Sequence, residues 1–202
     1  MGAPPAVVLA SSYLAGAVPF SNLTARRTRG VDLREVGNGT VSGTALYQVA
    51  GFGPLALGGA LDVAKGAVGP LLAGRDRPLL AAAAGGAAVA GHNWSVFLGG
   101  AGGRGISPAM GALLATAWPG TVVLAVGLAS GRLARHTALA SFVADLALVP
   151  VLARTRGRAG AATGAAVVVP LLVKRLTGNR PPPSPRRPGW WVSRLLYDRD
   201  PV

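Results

Sequence analysis

The chain contains no cysteine, which excludes a disulfide framework and any thiolate metal site. It is also short of charge. Only 13% of its 202 residues are Asp, Glu, Lys or Arg, where a water-facing domain carries about 25%. Acidic residues are scarcest, seven against twenty bases, and the two histidines, His92 and His136, lie far apart in the chain. Such a set offers too few clustered ligands for a metal centre, and nothing in it calls for a cofactor. A surface with so little charge faces something other than water, and lipid is the obvious candidate.

What the chain does have fits that inference. Half of it is hydrophobic, thirty residues are glycine, and the mean hydropathy is +0.44. The net charge of +13 invites a nucleic-acid partner, because clustered bases neutralise phosphates. Their distribution argues otherwise. Arg26, Arg27, Arg29 and Arg34, then Arg75 and Arg77, Arg132 and Arg135, and Arg154, Arg156 and Arg158 fall in bursts between apolar runs. Basic loops between hydrophobic spans are topology signals of a multi-pass membrane protein. The first apolar stretch lacks a charged leader and a small-residue cleavage site, so it reads as a retained span, with a signal peptide as the alternative.

Spanning the hydrocarbon takes about 20 apolar helical residues. Residues 3–25, 53–74, 78–98, 106–130, 137–153 and 159–176 qualify, with a break expected at Pro119-Gly120 that makes 106–130 one kinked span or two half-helices. Residues 41–52 are too short and polar to span and suggest an interfacial or re-entrant helix. The expected fold is therefore all-α, a polytopic membrane bundle of six or seven spans. Its glycine- and alanine-rich helices suit close packing. Residues 1–178 form one membrane domain, and 179–202 a Pro/Arg-rich tail whose Trp190, Trp191, Tyr197 and Arg194 suit the headgroup region or a solvated segment. The basic residues of 26–34 and of the tail favour the cytoplasmic side, which an odd number of spans satisfies.

Ionisable groups inside spans mark function or a paired structural role. Asp62 and Lys65 share a helix face and can neutralise one another, while Lys65 could also reach an anionic ligand. Asp145 reads as a structural partner of another helix, and His92 as a hydrogen-bonding residue. GAGGRG (Gly100 to Gly105) matches G-x-G-x-x-G, yet no βαβ unit surrounds it and no acid follows at the dinucleotide spacing. What it retains is the capacity for an anion nest. Glycines turn successive N–H groups inward, a helix N-terminus near Ile106 adds its positive end, and Arg104 adds a forked charge. The plain alternative is a flexible interhelical loop. A second donor-rich glycine run, VDLREVGNGTVSGTA (Val31 to Ala45), carries Arg34, Asn38, Thr40 and Thr44. Two such loops in so apolar a chain point to phosphorylated substrates at a membrane surface.

The order of these motifs is informative. AVPF (Ala17–Phe20), DLRE-x-GNG (Asp32–Gly39), LDVAKG (Leu61–Gly66), GHNWSVF (Gly91–Phe97) and GGRG (Gly102–Gly105) resemble the bacterial acyl-phosphate:glycerol-3-phosphate acyltransferases, over roughly Tyr13 to Gly178. The resemblance implies a seven-span membrane enzyme of the plasma membrane. It would transfer an acyl group from acyl phosphate to glycerol 3-phosphate at the cytoplasmic face, giving lysophosphatidic acid, with membrane lipids as surroundings. It further implies Arg34, Asn38 and His92 as catalytic residues, and Thr40, Thr44, Lys65, Gly102, Gly103, Arg104 and Gly105 as the phosphate-binding set. The His-x-x-x-x-Asp spacing of another acyltransferase group is absent, since Phe97 stands at the acid position.

The chain also departs from the family pattern. Asn38 replaces a serine, Arg104 a lysine, and Gly100-Ala101 a Phe-Lys pair. Aligning Lys174-Arg175-Leu176 puts Val169 and Leu172 where a histidine and an asparagine usually stand. These changes define the alternative function, a degenerate membrane paralogue that binds a lipid, a phosphate ligand or a partner protein without turnover. A transporter would need matching interrupted helices in two halves, which the chain lacks.

Overall fold

The computed structural model describes residues 2–181 and 188–199, and helices are the only regular elements among them. They are α1 (Pro5–Ala17), α2 (Phe20–Arg29), α3 (Gly43–Ala50), α4 (Phe52–Ala73), α5 (Pro78–Asn93), α6 (Ile106–Thr116), α7 (Trp118–Leu133), α8 (Thr137–Thr177) and α9 (Trp190–Tyr197). Short 3-10 turns occupy Leu33–Glu35 and Val96–Leu98. The expectation for 53–74 holds closely, and within 41–52 only Gly43–Ala50 form the short helix α3.

Helix directions follow from named contacts. Arg77 Nη1 donates to Ala3 O (2.7 Å) at one end of α1, and Ser95 Oγ donates to Ala17 O (2.6 Å) at the other, so α1 and α5 run parallel. Ser21 Oγ donates to Asp62 Oδ2 (2.5 Å), while Gly69 lies against Ser12, so α4 runs against both. Gly105 touches Asn93 and Val89, and Gly85 touches Ala112, so α6 descends beside α5. Thr121 Oγ1 donates to Met110 O (3.1 Å), which places α7 back along α6. The expected kink near Pro119 is therefore a reversal: 106–116 and 118–133 are two antiparallel helices.

The single helix α8 is likewise a hairpin. Gly157 has φ 61° and ψ −149°, a conformation that favours glycine, and it separates limbs 137–156 and 158–177. Gly164 lies against Val149, and Arg175 Nη1 reaches Ala138 O at 3.1 Å, so the limbs are antiparallel. The two spans expected over 137–153 and 159–176 correspond to these limbs. Asp145, buried on the first, faces Arg175 on the second, with Nε to Oδ2 at 3.5 Å. The contact is an ion pair between limbs, where the sequence suggested a hydrogen bond to another helix.

Between the helices the contact layer is made of small residues. A Cβ at Gly111 would overlap the Val63 carbonyl, and one at Gly66 would overlap that of Pro108, so α4 and α6 cross backbone to backbone, as membrane helices often do. The main core gathers Val89, Leu113, Leu124, Leu148, Leu152, Val167 and Leu171 from α5 to α8. Outward, the helices expose Leu57, Leu71, Leu79, Val122, Val126, Val143 and Leu146, an apolar belt suited to lipid. Three helical stretches, Pro5–Arg29, Phe52–Ala73 and Thr137–Thr177, are long and apolar enough by themselves to cross a membrane.

All glycine-rich connections that carry donors lie at one end of the bundle. The 30–42 segment, the 94–105 segment, the α7–α8 turn and the C-terminal end of α8 meet there. Arg75, Arg77, Arg154, Arg156 and Arg158 belong to the connections at the other end.

Candidate active site

The first helix breaks at Val18-Pro19, because proline has no N–H to continue the ladder. The break frees carbonyl groups inside the bundle, where each must find a donor. Ser95 Oγ takes Ala17 O, and Lys65 Nζ takes Val18 O at 2.6 Å. The Lys65 ammonium also lies 2.7 Å from Asp62 Oδ1 and 5.9 Å from the centre of the Phe20 ring. Its side chain and that of Asp62 are each 3% exposed. This corrects one expectation. Lys65 is spent on closing the helix break and neutralising Asp62, and does not face the glycine loops as a phosphate ligand.

Past the break, α2 ends at Gly30 and the first glycine loop begins. Leu33 N donates to Asn22 Oδ1 (2.7 Å), and Asp32 caps the next turn by accepting from Arg34 N (3.0 Å). The same carboxylate takes Arg34 Nε (3.1 Å) and Nη2 (2.7 Å), with Arg26 Nη2 at 3.3 Å. The Arg34 guanidinium holds the Asp32 carboxyl at a pKa of about 2, well below the usual carboxylate value. Arg34 remains 41% exposed, so its outer face is open. Asn38 is exposed, and its Oδ1 accepts from Thr40 N (3.1 Å) in an Asx turn. Thr44 is exposed on the first turn of α3, whereas the Thr40 hydroxyl is buried without a hydrogen-bond partner among the described residues.

The second loop is sewn to the first. Val41 N donates to Gly102 O (3.1 Å). Asn179 completes the seam: its Nδ2 donates to Gly39 O and Gly102 O, both at 2.8 Å, and its Oδ1 accepts from Gly102 N at 3.1 Å. Gly103 N donates to His92 O (3.2 Å). The glycines at 102 and 103 are thus places of close approach. A Cβ at Gly102 would strike the His92 and Asn93 carbonyls, and one at Gly103 would strike the His92 ring and Val41 O. Their N–H groups, expected in a nest, are already engaged. Those of Arg104, Gly105, Ile106 and Ser107 carry no acceptor among the described residues, and they lie where Gly105 (φ 79°) starts α6. The free N–H groups therefore lie two residues further along than expected, at a helix N-terminus.

Around these N–H groups stand side chains that sequence inspection passed over or used differently. Lys174 is almost completely buried at the end of α8, its Nζ 5.4 Å from the centre of the Trp94 ring, with no carboxylate paired to it among the described residues. Arg104 Nη1 donates to Lys174 O (2.9 Å). His92 is buried, its Nδ1 4.0 Å from Asp62 Oδ1 and its Nε2 against Gly103. Asn93 donates to Pro170 O at 2.7 Å, and its buried Oδ1, beside Gly105, has no hydrogen-bond partner among the described residues. Of the two without a role assigned from sequence, Asn93 and Lys174, the latter, an ionisable residue in an apolar limb, carried a visible signal.

The tail does not lie apart. Helix α9 packs against the end of α8, where Arg194, assigned from sequence to the headgroup region, is buried. It donates to Leu176 O (2.7 Å), Thr177 O (3.1 Å) and Arg180 O (3.3 Å). Asp198, at the end of α9, pairs with Arg104: Nε to Oδ2 is 2.9 Å and Nη2 to Oδ1 is 2.8 Å. The proline-rich stretch 182–187 lies outside the described residues.

Comparison with known proteins matches residues 6–179 to the glycerol-3-phosphate acyltransferase family model. A glycerol-3-phosphate acyltransferase of Synechococcus sp. (strain CC9902) is 38% identical over 170 residues, covering 83% of this chain and 84% of the relative. Another, from Jannaschia sp. (strain CCS1), is 38% identical over 173 residues, covering 83% of each. Among solved structures, the integral membrane glycerol 3-phosphate acyltransferase PlsY in its glycerol 3-phosphate form superposes with a TM-score of 0.74 at 26% identity, covering 87% of this chain and 94% of that one.

Proposed function

The chain belongs to the glycerol-3-phosphate acyltransferase family, and from that premise we propose that its loop-bearing end joins an acyl phosphate to glycerol 3-phosphate at the cytoplasmic face of the plasma membrane. It is an acyltransferase, and the family match favours turnover over the degenerate binding alternative. Read as membrane passes, α1, α4, α5, α6, α7 and the two limbs of α8 give the family's seven. The more basic loop end then faces the cytoplasm.

In this reaction the glycerol hydroxyl attacks the acyl carbonyl carbon, and the carbonyl oxygen gains charge. The bond from that carbon to the phosphate oxygen then breaks. The hydroxyl proton leaves with inorganic phosphate, whose own oxygen is basic enough to take it, so no protein base is required. The protein's task is to hold two anions side by side and stabilise the oxyanion. One phosphate is assigned to the N–H arc of 104–107 with Arg104 and Lys174. Lys174 thereby supplies a cation where Gly100-Ala101 lacks the usual lysine. The other is assigned to Arg34, Asn38, Thr40 and Thr44. His92 braces the arc through its carbonyl and ring. Gly102, Gly103 and Gly105 let the backbones meet.

The observation that carries this assignment is the seam at Gly39, Val41, Gly102 and Asn179, which brings two donor-rich loops from distant parts of the chain to one surface. The test is turnover. Purified protein with an acyl phosphate and glycerol 3-phosphate should release lysophosphatidic acid and phosphate, and Arg34→Ala or Arg104→Ala should abolish it. Absence of product under conditions that support a family relative would sink the assignment.

A further inference from the structure

Arg104 already holds an anion. Asp198 meets it side on, with a hydrogen bond from Nε to Oδ2 at 2.9 Å and an ion-pair contact between Nη2 and Oδ1 at 2.8 Å, so both carboxylate oxygens lie along the guanidinium edge that a phosphate would also use. The two side chains are only 17% and 24% exposed. Burial pushes the Asp198 carboxyl above the usual carboxylate range, Arg104 pulling the other way, so the charge sits where it loses hydration. The element that delivers it is α9, which lies beyond residues 6–179 of the family match. Arg194 docks this helix by capping the last carbonyls of α8, and Arg175 Nη1 adds a bond to Leu195 O (3.1 Å).

We propose that Asp198 is an internal competitor for the phosphate site: α9 presents a carboxylate to Arg104 in place of a substrate phosphate, and a phosphorylated ligand binds there by displacing it. This rests on the assignment of Arg104 to phosphate binding. A tethered carboxylate sets a threshold. Ligands with a single weak anionic group do not outcompete it, whereas a phosphate dianion does, because it engages the N–H arc of 104–107 as well as the guanidinium. The apparent affinity is then reduced by the fraction of molecules in which α9 is docked. For a partly exposed, hydrogen-bonded ion pair this is roughly a 3- to 30-fold reduction.

Two full-length variants test this, Asp198→Asn at the pair and Arg194→Gln at the dock. Each should lower the KM for the substrate whose phosphate sits on Arg104 by about 3- to 30-fold, with kcat unchanged. Hydrogen exchange gives a readout independent of turnover: inorganic phosphate added to the wild type should speed exchange of the Trp190–Tyr197 amides, and added to Arg104→Ala should not. A KM that stays the same or rises in Asp198→Asn would make the carboxylate a brace for Arg104 and overturn the proposal, while leaving the acyltransferase assignment intact. Full activity in Arg104→Ala would overturn both this proposal and the phosphate role of Arg104, yet not the activity itself.

Discussion

Replacing Lys65 with methionine separates a structural from a ligand-binding role. The ammonium is 2.7 Å from Asp62 Oδ1 and 2.6 Å from Val18 O, and both charged side chains are 3% exposed. Its removal leaves the Asp62 carboxylate buried with Ser21 Oγ as its one donor among the described residues and strips the Val18 carbonyl of its side-chain donor. Breaking a buried ion pair by losing one partner costs about 3–5 kcal/mol. At this chain length each kcal/mol moves Tm by about 2–4 °C, so a fall of roughly 6–20 °C is expected. Asp62→Asn combined with Lys65→Met removes the stranded charge and lets Ser21 keep its bond, so most of the loss should return. The assay is thermal unfolding of the detergent-solubilised protein, with kinetics on whatever folds. Lys65→Met with an unchanged Tm but lost affinity for glycerol 3-phosphate would refute the reasoning and restore Lys65 to the phosphate site.

Asn179→Ala removes three of the four hydrogen bonds described at the seam of the glycine loops, leaving that of Val41 N to Gly102 O. Steady-state kinetics should show KM for the phosphorylated substrates rising about 10-fold, the equivalent of about 1.4 kcal/mol of lost positioning, with Tm nearly unchanged. The Asp32 carboxyl, at a pKa of about 2 in the folded chain, lies below its unfolded value of about 3.9. Its stabilising contribution is therefore complete above about pH 4 and is lost as pH falls through 2. Exchange protection of the Arg34 amide, which donates to Asp32, should stay level from neutral pH down to about 4, and should be low at every pH in Asp32→Ala.

Much of the fold was legible because its signals are local. Gly157 among Arg154, Arg156 and Arg158 separates two apolar runs, and the structure turns there. Pro119-Gly120 marked a break, but a break does not encode its angle; the Thr121 to Met110 contact that turns it into a reversal is tertiary. The family was legible in the order of motifs. The site was less so. Asp62 and Lys65 could be paired from their spacing, but the third member, the Val18 carbonyl, exists only because Pro19 breaks a helix packed alongside. Gly102 and Gly103 suggested a nest, since glycine permits that conformation. Here the same residues serve backbone contact with His92, Asn93 and Val41, and the open N–H groups follow them. Asp198 and Arg104 are 94 residues apart, and no periodicity links an exposed-looking tail to a loop.

The break at Val18-Pro19 also bears on how the chain is made. The Ala17 and Val18 carbonyls take side-chain donors from Ser95, just past α5, and from Lys65 on α4, both of which leave the ribosome later. Until α4 enters the bilayer, the Val18 carbonyl lacks its lysine, and until the Ser95 turn arrives, Ala17 lacks its serine. The Val18 carbonyl keeps a backbone bond from Phe20 N (3.1 Å), but the Ala17 carbonyl has no other donor among the described residues, and a bare carbonyl in hydrocarbon costs several kcal/mol, so the first span gains its lasting hold only when the third pass is complete. Biogenesis of this end of the bundle is thus ordered, and nascent chains arrested before Gly91 should leave the first span loosely held and open to the insertase.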